Sequence, residues 1–197
     1  MKKKMNLPNK ITLLRMIIVL IIIVLALLPE GKTFGFWELS YDYRMVAILV
    51  LFALGSYSDH LDGHLARKNN LVTTFGKFMD PIADKLLVNS LFIILTGMGR
   101  IHWLVTVIMV SRDIIVDVIR LIMVERGTVI AASIWGKLKT VAQMIALICV
   151  LALPAPDGHW LSICCDVLTY IAAFISLMSG FDYFWKNRKV LLEDAFN

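Results

Sequence analysis

Charge is scarce in this chain. Only 18% of its 197 residues are Asp, Glu, Lys or Arg, while 59% are hydrophobic. A soluble domain carries about a quarter charged residues. That deficit, with a mean hydropathy of +0.77, excludes a soluble globular domain. Cysteine is scarce too: Cys149, Cys164 and Cys165 all lie in apolar runs. Adjacent cysteines rarely pair and no metal-type spacing is present, so a disulfide framework and a thiolate metal site are excluded. No internal repeat or low-complexity tract occurs. No small-residue cleavage site follows the first apolar run, which reads as a retained helix and not a signal peptide. The net charge of +5 would suit nucleic acid, but its distribution points to membrane orientation, and no nucleic-acid partner is expected.

What the chain does have is long apolar runs. A bilayer span needs about 20 mostly apolar residues. Six candidates meet this: Ile11–Leu28, Met45–Arg67, Phe78–Met98, Ile101–Val124, Val129–Leu153 and Trp160–Trp185. Pro29-Glu-Gly, Gly97-Met-Gly99, Gly127 and Pro154-Ala-Pro156-Asp-Gly158 separate them. The expected fold is an all-α integral membrane protein with six transmembrane helices, in one domain over residues 1–197. Lys2, Lys3, Lys4, Lys10 and Arg15 lie at the amino end. Arg67, Lys68 and Lys77 lie between spans two and three, and Arg120, Arg126, Lys137 and Lys139 flank the turn between spans four and five. Lys186, Arg188 and Lys189 follow span six, whereas the opposite loops hold only Lys32, Arg44 and Arg100. The positive-inside rule puts both termini in the cytoplasm. Residues 1–10 then form a cytoplasmic segment, with a short interfacial helix beginning at Asn6–Lys10, and residues 186–197 form a cytoplasmic tail. Trp37, Trp103, Trp135, Trp160 and Trp185 fall near span ends, as an interfacial belt requires.

Against this apolar background, Asp59, Asp62, Asp80 and Asp84 are conspicuous. An aspartate near the centre of a membrane helix costs about 2.5–3.5 kcal/mol, so four demand neutralisation. Taking Asp59 as zero at about 100° per residue, Asp62 falls near −60°, Gly63 near 40°, Ala66 near −20° and Arg67 near 80°. Gly76, Asp80 and Asp84 form a second stripe on the next helix, stepping by about 40° each. A short connection makes the two helices antiparallel neighbours. Oxygen-only donors at this density suit hard cations, Mg²⁺ or Mn²⁺, which share coordination with substrate phosphates. Small residues on the same faces let a ligand approach the backbone, and Arg67 can pair with a phosphate. They also suit plain helix packing. His60 and His64 lie off the acidic face and read as interfacial polar residues.

Asp59-x-x-Asp62-Gly63-x-x-Ala66-Arg67, eight residues, then Gly76-x-x-x-Asp80-x-x-x-Asp84 resembles the signature of the CDP-alcohol phosphotransferases at every fixed position. The resemblance implies a six-helix, homodimeric membrane enzyme of the CDP-alcohol phosphotransferase fold, which displaces CMP from a CDP-linked lipid with an alcohol. It implies two divalent ions held by Asp59, Asp62, Asp80 and Asp84, with Asp84 also the general base for the acceptor hydroxyl. It assigns Asp59, Asp62, Gly63, Ala66, Arg67 and Gly76 to CDP binding. Metals would neutralise the diphosphate, and a placed carboxylate would take the hydroxyl proton.

The acceptor must be read elsewhere. Span four carries Arg112, Asp113, Asp117 and Arg120, and span five begins Gly136-Lys137-Leu-Lys139-Thr140. The cations outnumber the acids beside them. One reading is a structural salt-bridge set; the other is a grip by Arg112, Arg120, Lys137 and Lys139 on an anionic acceptor. Asn6-Leu-Pro-Asn-Lys-Ile-Thr-Leu-Leu-Arg15, the Gly136–Thr140 run and Ser179-Gly-Phe-Asp-Tyr183 with Lys186–Val190 resemble one branch of the family, the bacterial phosphatidylglycerophosphate synthases. That resemblance implies CDP-diacylglycerol and sn-glycerol 3-phosphate as substrates, in the plasma membrane, with the active site facing the cytoplasm. Many of that branch carry Arg-Glu where this chain has Arg112-Asp113, and a small hydroxyl residue where it has Asp117.

Two other readings stay open on the sequence. The same chemistry serves a cardiolipin synthase using phosphatidylglycerol, or an inositol-phosphate lipid synthase. Intramembrane carboxylates also mark divalent-cation and proton-coupled transporters. Against transport, Leu86–Leu95 is nearly all apolar, and spans five and six carry only Asp166 and Asp182 as acids, with Asp182 placed to pair with Lys186 one turn on.

Overall fold

The computed structural model describes residues 6–29, 33–36, 39–68, 74–127, 133–153 and 160–195. Six helices run through it: α1 Leu7–Leu27, α2 Tyr43–Lys68, α3 Thr74–Gly97, α4 Trp103–Glu125, α5 Ile134–Ala152 and α6 Trp160–Ala195. Each coincides with an expected span. Local chemistry sets their ends. Asn6 precedes α1 in extended conformation with Pro8 in the first turn, where a missing N–H costs nothing. His102 caps α4 by accepting from the Leu104 N–H at 3.3 Å. Gly99 and Gly127 take φ of +72° after α3 and α4, a conformation costly for residues with a Cβ.

Two differences from the sequence reading stand out. To the expected all-α fold of six helices the structure adds an antiparallel hairpin, β1 Thr33–Phe36 and β2 Leu39–Asp42, in the register Thr33↔Asp42 and Phe36↔Leu39. Thr, Phe and Tyr suit a strand, and between two helices nothing imposes a helical period on them. The hairpin leads into α2, whose first turn it caps: Asp42 Oδ1 accepts from the Arg44 N–H at 2.8 Å, and Arg44 Nη1 donates to the Leu28 carbonyl after α1. The second difference is that α6 does not stop near Trp185. It continues to Ala195, because residues 186–195 hold no glycine or proline.

The chain divides into two compact units, Met1–Ile94 with Leu151–Ala155, and Leu95–Val150 with Pro156–Asn197. In the first, Ile22 of α1, Ile48 and Phe52 of α2, and Leu87 and Leu91 of α3 are buried. In the second, Met109 and Val116 of α4, Leu147 of α5 and Ala172 of α6 are buried. The other faces are inverted relative to a soluble protein. Leu20, Val50, Ile93, Leu121, Val141 and Phe174, one on each helix, are all at least half exposed. Such surfaces belong against lipid.

Among the described residues, three helices are long and apolar enough to cross a membrane by length and composition: Asn9–Leu27, Ile134–Ala152 and Trp160–Arg188. The helices α2, α3 and α4 have 26, 24 and 23 residues, so each exceeds about 30 Å at about 1.5 Å per residue. They fall short on composition, since they carry the acids and cations singled out above. All three cysteines are free thiols. The exposed rings of Trp103 and Trp160 stand at helix starts, consistent with the interfacial role.

Candidate active site

Both halves of the aspartate pattern are helical: positions 59–67 lie in α2 and positions 76–84 in α3. The register between these helices is set at Gly55. A Cβ added there would lie 2.8 Å from Leu87 Cδ2 and 3.8 Å from Ile18 Cγ2, so the absence of a side chain is what lets α2 come this close to α1 and α3. Arg15 of α1 is fully buried at the same point and donates from Nε to the Gly55 carbonyl at 3.3 Å.

Helical geometry carries this contact along both helices. Counted from Gly55, positions 59 and 62 lie at about 40° and −20° around α2, and position 66 at about 20°. Counted from Leu87, positions 84, 80 and 76 lie at about 60°, 20° and −20° around α3. By helical register alone, the aspartate positions fall on the sides of α2 and α3 that carry Gly55 and Leu87. Positions 60 and 64 lie at about 140° and 180° from Gly55 around α2; their side chains lie outside the described residues. Asp84 is half-buried. The side chains of Asp59, Asp62, Gly63, Ala66, Arg67, Gly76 and Asp80 lie outside the described residues. The candidate donor set is four carboxylates with no histidine or cysteine at those register positions, a composition that fits hard divalent cations.

The second unit holds a cluster of opposite sign. Arg112 and Asp113 on α4 and Lys139 on α5 are all buried. One carboxylate oxygen serves both cations: Asp113 Oδ1 accepts from Arg112 Nη1 at 3.1 Å and from Lys139 Nζ at 2.6 Å. Arg112 Nη2 donates to the buried hydroxyl of Ser179 on α6. Tyr183, one turn further along α6, accepts from Arg120 Nη2 at 2.9 Å. Its ring lies 6.0 Å from the Arg112 guanidinium and 5.2 Å from that of Arg120.

Two features suit this cluster to an anion. Arg112 and Lys139, both buried, converge on one oxygen of Asp113, in a place where charge is expensive. Arg112 Nε is buried and donates to no atom of the described residues. A buried donor left unmade costs about 1–3 kcal/mol, and more for a charged group; an anionic oxygen would satisfy it.

Of the four cations expected to grip an acceptor, the structure thus brings Arg112, Arg120 and Lys139 together around Asp113 and Tyr183. Lys137 is exposed. Two residues before Lys139 on a helix, it points about 200° away from it. The expected pairing of Asp182 with Lys186 is present at 2.8 Å. Sequence reasoning gave no role to Ser179 or Tyr183, and it missed Gln143. Gln143 is buried one turn beyond Lys139, with an Nε2 that donates to no atom of the described residues. A polar amide in an apolar run was the available signal.

Comparison with known proteins agrees with these features. The family model described as CDP-alcohol phosphatidyltransferase matches residues 5–181. A Bacillus subtilis (strain 168) protein named CDP-diacylglycerol–glycerol-3-phosphate 3-phosphatidyltransferase is 39% identical over 189 residues, covering 94% of this chain and 97% of that one. Proteins of the same name from Rickettsia typhi and Haemophilus influenzae are each 34% identical. The first covers 91% of this chain and 95% of its own length, the second 97% and 98%.

Proposed function

This chain belongs to the CDP-alcohol phosphatidyltransferase family, and from that membership we propose that it transfers the phosphatidyl group of CDP-diacylglycerol to sn-glycerol 3-phosphate, yielding phosphatidylglycerophosphate and CMP. The observation that supports the choice of acceptor is the buried meeting of Arg112 and Lys139 at Asp113, with an Arg112 Nε that donates to no atom of the described residues. A phosphorylated alcohol satisfies that cluster. Serine and choline do not, since neither brings a phosphate.

The family uses divalent metal ions. In this chain Asp59, Asp62, Asp80 and Asp84 would hold two, Mg²⁺ or Mn²⁺, on the facing sides of α2 and α3. When bound, the ions neutralise the diphosphate and stabilise the charge that develops on departing CMP. Gly63, Ala66 and Gly76 leave room for the cytidine nucleotide, and Arg67 pairs with its phosphate. Arg112, Arg120 and Lys139 hold the phosphate of the acceptor. Asp84 takes the hydroxyl proton as the oxygen bonds to the phosphatidyl phosphorus and the bond to CMP breaks.

The same reading makes residues 1–197 one membrane domain of six spans, with both termini cytoplasmic and the chemistry at the cytoplasmic face of the plasma membrane. Exposed apolar side chains on every helix and the clustering of Lys and Arg in alternate connections support it. A homodimer is part of the proposal. A reporter fused after residue 185 is expected to label as cytoplasmic; extracellular labelling would overturn the topology.

Purified protein with CDP-diacylglycerol, Mg²⁺ and a panel of acceptors, scored by CMP release, tests the reaction. Glycerol 3-phosphate is expected to support release, and phosphatidylglycerol, inositol phosphate, serine and choline are not. Release with phosphatidylglycerol alone would make the protein a cardiolipin synthase. Cation or proton flux in proteoliposomes without CMP release would make it a transporter.

A further inference from the structure

Both arginines of α4 rest on one five-residue segment of α6. Ser179, fully buried, accepts from Arg112 Nη2. Gly180 faces the stem of the same side chain, where an added Cβ would lie 3.1 Å from Arg112 Cγ. Tyr183 accepts from Arg120 Nη2, and its ring lies against both guanidinium groups. That ring is 2% exposed. Gly136 of α5 faces it as well: a Cβ there would make ordinary contact with Tyr183 Cε2 at 3.6 Å.

An arginine free to change rotamers makes a poor phosphate ligand, because its planar fork must be fixed before two oxygens can meet it. Here the fork of Arg112 is fixed at both ends, Nη1 on Asp113 and Nη2 on Ser179, leaving the Nε edge to donate. The close approach at Gly180 seats the stem. We propose that Ser179, Gly180 and Tyr183 are positioning residues that set the enzyme's selectivity for a phosphorylated acceptor, by holding Arg112 and Arg120 in one fixed arrangement. The proposal rests on the reading that these arginines bind the acceptor phosphate.

The test is steady-state kinetics on the full chain in detergent, with KM measured separately for glycerol 3-phosphate and CDP-diacylglycerol. Gly180→Ala forces Arg112 aside by a few tenths of an ångström, and Tyr183→Phe removes only the hydroxyl that Arg120 donates to. Each is expected to raise KM for glycerol 3-phosphate by about three- to tenfold, with kcat and the KM for CDP-diacylglycerol within about twofold of the parent. Arg112→Gln serves as the reference. If it raises KM for glycerol 3-phosphate and the two α6 variants do not, the positioning role is overturned while the acceptor reading stands. If Arg112→Gln also leaves that KM unchanged, the acceptor reading fails. If an α6 variant moves both KM values and kcat together, the segment is merely structural and the proposal is overturned. Should Gly180→Ala fail to fold, Tyr183→Phe, which adds no atom, decides the matter.

Discussion

The acidic positions of the first unit recur three and four residues apart on two helices joined by a short connection, whereas the cationic cluster of the second unit draws on three helices. Lys139 is 26 residues from Asp113, and Ser179 is 67 from Arg112. In the first region the helical repeat alone sets the register of the acidic positions, and Gly55 lies close to Leu87 on the same sides of the two helices. In the second, tertiary packing creates the arrangement, and each charge depends on partners from another helix. The first should therefore govern turnover and the second acceptor affinity. The two kinds of variant should separate in kcat and KM.

The largest separation is expected at Asp84. Asp84→Asn keeps size and removes the proton acceptor, so kcat should fall by about 10²–10⁴-fold. Binding of CDP-diacylglycerol, measured directly with labelled lipid, should be partly retained. Near-normal turnover would remove Asp84 from the role of base. In the second unit, Arg112→Gln loses a charged contact to the acceptor. By the usual worth of such a bond, about 1.5–3 kcal/mol, KM for glycerol 3-phosphate should rise by about 10–100-fold. A parallel rise in KM for CDP-diacylglycerol would break the division between the two regions. Lys139→Ala and Lys137→Ala sharpen it within a single helix. The first should raise KM for the acceptor about tenfold, and the second should change it by less than about twofold, since only Lys139 is buried against Asp113.

The difference between the regions also explains what could be read in advance. Six helices were legible because each is a long apolar run ended by glycine, proline or polar residues. The helical setting of the aspartate pattern was legible because its spacing is a backbone property that needs no neighbour to be recognised. The cationic cluster was legible only in outline. Composition showed surplus cations in spans four and five. It did not show that Asp113 shares one oxygen between Arg112 and Lys139, or that Lys137 stands apart from Lys139. Tyr183 stood inside the Ser179–Tyr183 stretch that resembles the bacterial branch, but its role was not legible until its hydroxyl was found against Arg120. The hairpin was missed for a related reason: two four-residue strands are too short to show a period against the helices beside them.

A smaller effect should come from the Gly55 contact in the first unit. Gly55→Ala places a methyl 2.8 Å from Leu87 Cδ2, and the leucine side chain, 1% exposed, must give way. Overpacking of this kind costs about 1–3 kcal/mol. Since the contact lies on the sides of α2 and α3 that carry positions 59 and 84, kcat should fall severalfold, with KM for glycerol 3-phosphate unchanged. A change confined to that KM would mean that the Gly55 contact does not serve the acidic site.

The smallest effect is expected where a charge pair is well formed but exposed. Lys186 Nζ lies 2.8 Å from Asp182 Oδ1 one turn back along α6, yet the lysine side chain is 63% exposed. Pairs of this kind contribute about 0.3–0.5 kcal/mol in water, because solvent screens them and ordering two side chains costs entropy. Lys186→Ala should thus lower the melting temperature by no more than about 2 °C and leave both KM values unchanged. The contrast with Lys139 carries the argument. Both lysines meet one aspartate oxygen at less than 3 Å, so distance alone ranks them together. Burial separates them: Lys139 is 9% exposed and shares its acceptor with a second buried cation. If Lys186→Ala and Lys139→Ala changed acceptor affinity equally, burial would not be what distinguishes a site residue from a surface pair, and the cluster would lose its claim to bind a ligand.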